Sequence, residues 1–87
     1  MFARSLAGHD KGRLYVVTGA EEGYVLLSDG ERRTLQKPKK KKVKHVQPDF
    51  SVSEHLREME ERGQEVRDPD IRKALRIKEE TTCQKQM

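Results

Sequence analysis

The side chains with the strongest chemical signal are cations. The segment from Arg32 to Lys44 holds Arg32, Arg33, Lys37, Lys39, Lys40, Lys41, Lys42 and Lys44, eight cations in 13 residues, and the one acid beside it is Glu31, just before it. A field this dense draws the phosphates of RNA or DNA by releasing their counterions, and binding of that kind weakens steeply with salt. His45 follows the run, where it can meet a phosphate, stack on a base or serve the fold. A second, smaller patch is Gly8-His9-Asp10-Lys11-Gly12-Arg13. Its two glycines suit a tight loop between strands, with Lys11 and Arg13 either side of Gly12, where bare backbone can approach a phosphate. The plain readings stand beside these. A basic tract also solvates a surface or addresses a nucleus or membrane, and the loop also reads as an ordinary turn held by the Asp10 side chain.

Other chemistries find little material. His9, His45 and His55 are not at metal-ligand spacing and have no cysteine near them. No Gly-rich phosphate loop of the Walker type is present. Cys83 sits in a polar segment without a neighbouring histidine, which argues against a catalytic thiol. A single cysteine allows no intramolecular disulfide and suits a reduced, cytoplasmic compartment. Acids such as Glu58, four residues before Arg62, are spaced for helix pairing. The expectation is therefore a protein that is not an enzyme, with no cofactor, metal or small-molecule substrate. No apolar run nears the roughly 18 residues of a membrane helix, and no secretory signal is visible, so no membrane partner is expected. Tyr15 and Tyr24 are candidate stacking platforms, but scarce apolar material favours core packing for both.

These residues need a scaffold, and the chain offers a small one. Of 87 residues, 32% are hydrophobic and 39% charged, which bounds the chain to one small domain with a small core. Residues 1–48 carry 11 Lys/Arg against 5 Asp/Glu, and residues 49–87 carry 8 against 10. A boundary near Pro48-Asp49 then separates a basic β part, with a basic loop over 37–45, from a partly mobile helical tail over 49–87. Strands are expected at 2–6, 13–18, 24–28, 32–35 and 43–46, with a turn over 19–23 and an Asp29-Gly30 hairpin turn. Four or five short strands suggest a small β-barrel. The strands at 13–18 and 24–28 are apolar on both parities, so the second face needs cover, for which the tail helices are the candidates. The tail reads as two short helices. One has Ser51 as N-cap, Glu54 at N3, an apolar series Val52, Leu56, Met59 and a stop at Gly63. The other has Asp68 as cap, Pro69 at N1 and an apolar face of Ile71, Ala74 and Leu75.

The loop Gly8-His9-Asp10-Lys11-Gly12-Arg13, followed by Val17 and then Tyr24-Val25-Leu26, resembles the KOW motif, with Gly12 at the glycine that motif requires. Arg32-Arg33 and Lys44-His45-Val46-Gln47-Pro48 make residues 2–48 similar to KOW-domain RNA-binding proteins related to the archaeal and eukaryotic large-subunit ribosomal protein of the fourteen-e type. A weaker echo lies at Ile71-Arg72-Lys73-Ala74-Leu75. The resemblance implies a mainly β fold, an SH3-like barrel with a short helical C-terminal tail, RNA binding and no catalysis. It implies that His9, Lys11, Gly12 and Arg13 face RNA, and that Arg32, Arg33, Lys37, Lys39, Lys40, Lys41, Lys42, Lys44 and His45 meet its backbone. His9 departs from the pattern, standing where Arg or Lys is common. The implied partner is ribosomal RNA, with ribosomal proteins beside it and a ribosome-associated location. The alternative is a protein-interaction module of a transcription or translation factor, acting through Leu56, Met59, Ile71 and Leu75.

Overall fold

Strands that are apolar on both faces require cover on both, and this sets the architecture. The computed structural model describes residues 1–85, with side chains for residues 1–80, so the Cys83 thiol lies outside the described residues. The elements in order are β1 (Phe2–Ser5), β2 (Leu14–Glu21), β3 (Tyr24–Ser28), β4 (Lys39–Lys42), a 3₁₀ turn (Val43–His45), β5 (Val46–Asp49), α1 (Glu54–Glu61) and α2 (Asp68–Lys85). The strands form one antiparallel sheet in the order β4-β3-β2-β1-β5. Successive side chains of a strand point to opposite faces. Phe2, Leu14 and Val16 therefore share one face, where Ile71 and Ala74 of α2 cover them and Leu35, Leu56, Val66 and Leu75 pack around the margin. Ala3, Tyr15, Leu27 and Val46 share the other, flanked by Val17 and Val25. The helical cover that the sequence demands is supplied by α2.

The sheet is strongly coiled. β4 and β5 are its outermost strands, yet only the three residues of the 3₁₀ turn join them. In a flat five-stranded sheet they would lie about 19 Å apart at ~4.8 Å per strand. Three residues of 3₁₀ helix advance only about 6 Å. The sheet must therefore curl until its edges approach. Main-chain bonds carry the two outer pairings on into the turn: the Leu6 N–H donates to the His45 carbonyl at 2.8 Å, and the Val43 N–H to the Gly23 carbonyl at 3.1 Å. No ladder joins β4 to β5 among the described residues, so the sheet remains open. A bulge assists the curl. Val17 pairs with Leu27 and Gly19 with Leu26, which leaves Thr18 as the extra residue that sharpens the twist.

Several expected elements are corrected. β2 runs on through the bulge to Glu21, so the turn shrinks from 19–23 to Glu22-Gly23. Asp29-Gly30 is no two-residue hairpin. The Asp29 carboxylate accepts from the Glu31 and Arg33 amides at 2.8 and 2.9 Å and closes a wider loop. Residues 32–35 form no strand, because the Leu35 N–H donates to the Asp68 carboxylate at 2.9 Å instead of to a strand. The strand that pairs with β3 is the lysine run itself. Residues 43–45 are the 3₁₀ turn, and the closing strand begins at Val46. The first helix is capped by Ser53, whose Oγ accepts from the Leu56 N–H at 3.3 Å, not by Ser51. Val52 consequently stays outside the helix and exposed. The second helix is capped from Arg67, whose N–H donates to Asp70 at 3.1 Å, because Asp68 is committed to Leu35. With 18 residues, α2 is not short.

Ile71 is 1% exposed at the centre of the α2-covered core. Ile71→Ala is expected to destabilise the protein by about 2–5 kcal/mol in urea melts, a large share of the stability of so small a domain. A loss below about 1 kcal/mol would mean that α2 rests on the sheet without holding it.

Candidate nucleic-acid interface

The loop joining β1 to β2 is shaped by one acid. The Asp10 side chain is only 8% exposed. It accepts from the Ser5 hydroxyl at 2.9 Å, the Tyr15 hydroxyl at 3.0 Å, Lys39 Nζ at 2.5 Å and Lys41 Nζ at 2.9 Å. Burial works to raise the Asp10 pKa, and these four donors outweigh it, holding the carboxyl well below the ordinary carboxylate range. Burial, together with the neighbouring carboxylate, pushes the Tyr15 phenol up. The main chain completes the loop. The Gly12 N–H donates to the Ser5 carbonyl at 2.8 Å, the Arg13 N–H to the Asp10 carbonyl at 2.9 Å, and Arg4 Nη1 to the Gly12 carbonyl at 2.5 Å. Gly12 has φ +87° and open space where a Cβ would sit, so its backbone lies bare at the tip between Lys11 and Arg13.

Strand alternation splits the lysine run into two sets. Lys39 and Lys41 turn inward to Asp10, and Lys41 Nζ also donates to the Ala7 carbonyl at 2.8 Å. Lys40 and Lys42 turn outward. Lys40 pairs with Glu21 at 2.8 Å and lies 4.7 Å from the centre of the Tyr24 ring. Lys37, Lys42 and Lys44 are exposed, while His45 is half-buried and offers its carbonyl to Leu6. The run is thus a strand in which alternate lysines serve the fold. Tyr15 is buried at 2% exposure, which ends its candidacy as a stacking platform.

The loop carrying Arg32 and Arg33 is fastened at both ends. Besides the Asp29 bonds, the Ser28 hydroxyl donates to the Arg33 carbonyl at 2.5 Å. On the other side Arg72 Nη1 donates to the Gly30 carbonyl at 2.6 Å. Gly30 is buried with φ +78°, and a Cβ there would collide with the Asp68 carbonyl oxygen and the Arg72 side chain. The absence of a side chain lets this loop lie directly on the start of α2. Thus the helical tail positions two of the cations that the sequence assigns to the β part.

These constraints bring together patches that are about 20 residues apart in sequence. His9, Asp10, Lys11, Gly12, Arg13, Tyr15, Arg32, Arg33 and Lys39 line one open groove of about 590 Å³. Lys11, Arg13, Arg32 and Arg33 are exposed there and form no ion pair with an acid among the described residues. Lys37, Lys40, Lys41, Lys42, Lys44 and His45 lie outside the groove lining. Sequence reasoning missed the reach of Asp10 beyond its own turn, and it missed the role of Arg72. The sequence carries no sign of the first, because four consecutive lysines do not show which of them turn inward. His55 is bound to Asp70 at 2.9 Å and joins α1 to α2. Among the described residues no helix is long and apolar enough to cross a membrane. No protein-family model matches the chain, and no curated protein matches it.

The Asp10 cluster can be tested in two ways. Removing one partner of a buried ion pair costs about 3 kcal/mol or more, so Lys41→Ala is expected to lower the urea midpoint clearly, whereas the exposed Lys42→Ala leaves it in place. Equal effects would mean that the alternation carries no energetic weight. The Asp10 carboxylate contributes stability that is complete above its ordinary pKa of 3.8 and is lost as pH falls below that value toward the depressed folded one. Asp10→Asn is therefore expected to be less stable than the native protein at neutral pH, with the gap closing on acidification. Asp49, lowered by Lys78, and Asp70, lowered by His55, titrate in both proteins and drop out of the difference. A gap independent of pH would remove the charge of Asp10 from the account.

Proposed function

We propose that this protein is a non-catalytic RNA-binding module that grips structured RNA by its phosphates in the groove between the β1–β2 loop and the Arg32-Arg33 loop. The observation that carries this reading is the convergence of Lys11, Arg13, Arg32 and Arg33 on one open groove with no acid paired to them among the described residues. Asp10, the acid beneath them, is already matched by two lysines, so the groove keeps its positive field. Backbone recognition fits, because the one aromatic ring of Phe, Tyr or Trp type in the lining, Tyr15, is buried and presents no stacking face. The coiled sheet, with a 3₁₀ turn carrying the chain from one edge strand to the other, supports an SH3-like, KOW-type barrel that is partly open. In line with the sequence resemblance, the RNA is ribosomal and the protein works on or near the large subunit. The competing protein-interaction reading needs a free apolar helical face. Ile71 is buried, and Leu56 and Leu75 pack against the same core, which favours RNA over a protein partner.

The test is binding of labelled large-subunit ribosomal RNA fragments by the full chain across a salt series. The triple variant Lys11→Ala/Arg32→Ala/Arg33→Ala is expected to weaken binding alike for all sequences. It should flatten the plot of log affinity against log salt by about 2, at roughly 0.7–0.9 for each phosphate that is no longer neutralised. An unchanged slope removes the groove from RNA binding. Failure of the native protein to cosediment with large subunits at low salt removes the ribosome.

A further inference from the structure

We propose that the RNA surface does not end at the groove but continues onto α2, where Arg72, Lys73 and Arg76 take further phosphates of the same backbone; this rests on the reading of the groove as an RNA site. On a helix, residues three and four apart share a face. Pro69, Arg72, Lys73 and Arg76 therefore lie together, turned away from Ile71 and Ala74, which are buried against the sheet. They line, with Glu31, an open recess of about 310 Å³. Between this recess and the groove lies a smaller hollow of about 190 Å³, lined by Arg13, Leu14, Asp29, Glu31, Arg72 and Leu75. Arg13 borders both the groove and the hollow. Arg72 and Glu31 border both the hollow and the recess. The three depressions thus form one path, with an arginine at each junction.

The path has a fixed geometry. The contacts of Arg72 and Asp68 with Gly30 and Leu35 lock α2 to the arginine loop, so the two sets of cations move as one body. One N–H of Arg72 is used in that lock, and a guanidinium has five. The acids along the path are few. At the junction they are Glu31 and Asp29, whose carboxylate is held in its own loop by main-chain amides. Glu79 and Glu80 follow Arg76 by one turn, and there the sign reverses. The path therefore runs from Lys11 to Arg76. Two basic depressions joined across a hollow in which two arginines face two acids fit a repeating polyanion rather than an isolated phosphate. No exposed Phe, Tyr or Trp ring lines any of them, which selects the backbone of helical RNA over an unstacked single strand.

The experiment compares Lys73→Ala/Arg76→Ala with Arg32→Ala/Arg33→Ala in the full chain, using a labelled RNA hairpin as probe between ~50 and ~200 mM salt. Lys73 and Arg76 are exposed, so thermal melts of their variant should match the native protein and exclude misfolding. Each pair is expected to flatten the salt slope by about 1.5, at roughly 0.7–0.9 for each phosphate set free of its cation. Lys73→Arg/Arg76→Lys should keep the native slope, because charge rather than shape is being read. If the α2 pair leaves slope and affinity unchanged while the groove pair lowers both, the path ends at Arg13; the inference falls and the RNA function stands. If neither pair matters, the RNA reading of the groove falls and takes this inference with it.

Discussion

A carboxylate taken out of water is costly unless it is surrounded by donors, and Asp10 is surrounded on every side. Two of its donors come from β1 and β2, and two come from β4, some thirty residues further along the chain. The acid can be satisfied only if the sheet curls far enough to bring β4 under the β1–β2 loop. Conversely, Lys41, nearly as buried as Asp10, has no tolerable position unless that acid is present. The pairing is also lopsided, with two cations to one anion, so burial is achieved without cancelling the positive field above it. A turn, a fold closure and a binding potential thus share a single charged atom group.

Much of this was legible in the sequence, and the parts that were not have a common cause. Leu14 to Val17 and Tyr24 to Leu27 announce strands through β-branched and aromatic content. Their apolar character on both parities correctly demands helical cover, because burial is a local property of a strand's two faces. What failed was always a competition between a local signal and a distant partner. Asp29-Gly30 looks like a hairpin until Asp68 claims the amide of Leu35. Ser51 looks like a cap, but Lys78 donates to its hydroxyl at 2.8 Å and its amide donates to Asp49, leaving Ser53 to start the helix. Four consecutive lysines look like a solvated loop, since β-propensity ranks lysine low and gives no hint that every second one has a buried acid waiting.

The candidate site was half visible for the same reason. The types of its residues were plain, because cation density is a property of sequence. Their selection was not. Which cations face a ligand depends on strand phase in β4 and on where the arginine loop is pinned, and that pin is a glycine against a helix start some forty residues downstream. The tail, mildly acidic when summed, hides a basic outer face on α2, because its acids lie on α1, before and in the first turn of α2, and beyond Arg76. Net charge per segment averages over the very asymmetry that matters.

The outward lysines of β4 have a consequence apart from any ligand. β4 and β5 each leave one rim of hydrogen-bonding groups without a neighbouring strand among the described residues. Such rims invite a second chain to add itself, the first step toward fibrils. Here one rim carries Lys40 and Lys42, and the other is interrupted by Pro48, which has no N–H to offer. Two chains meeting rim to rim along β4 would stack like charges, and along β5 they would find a gap in the ladder. An open, coiled sheet can therefore stay a monomeric platform at the crowded concentrations of a cell, because self-assembly is discouraged at both of its borders.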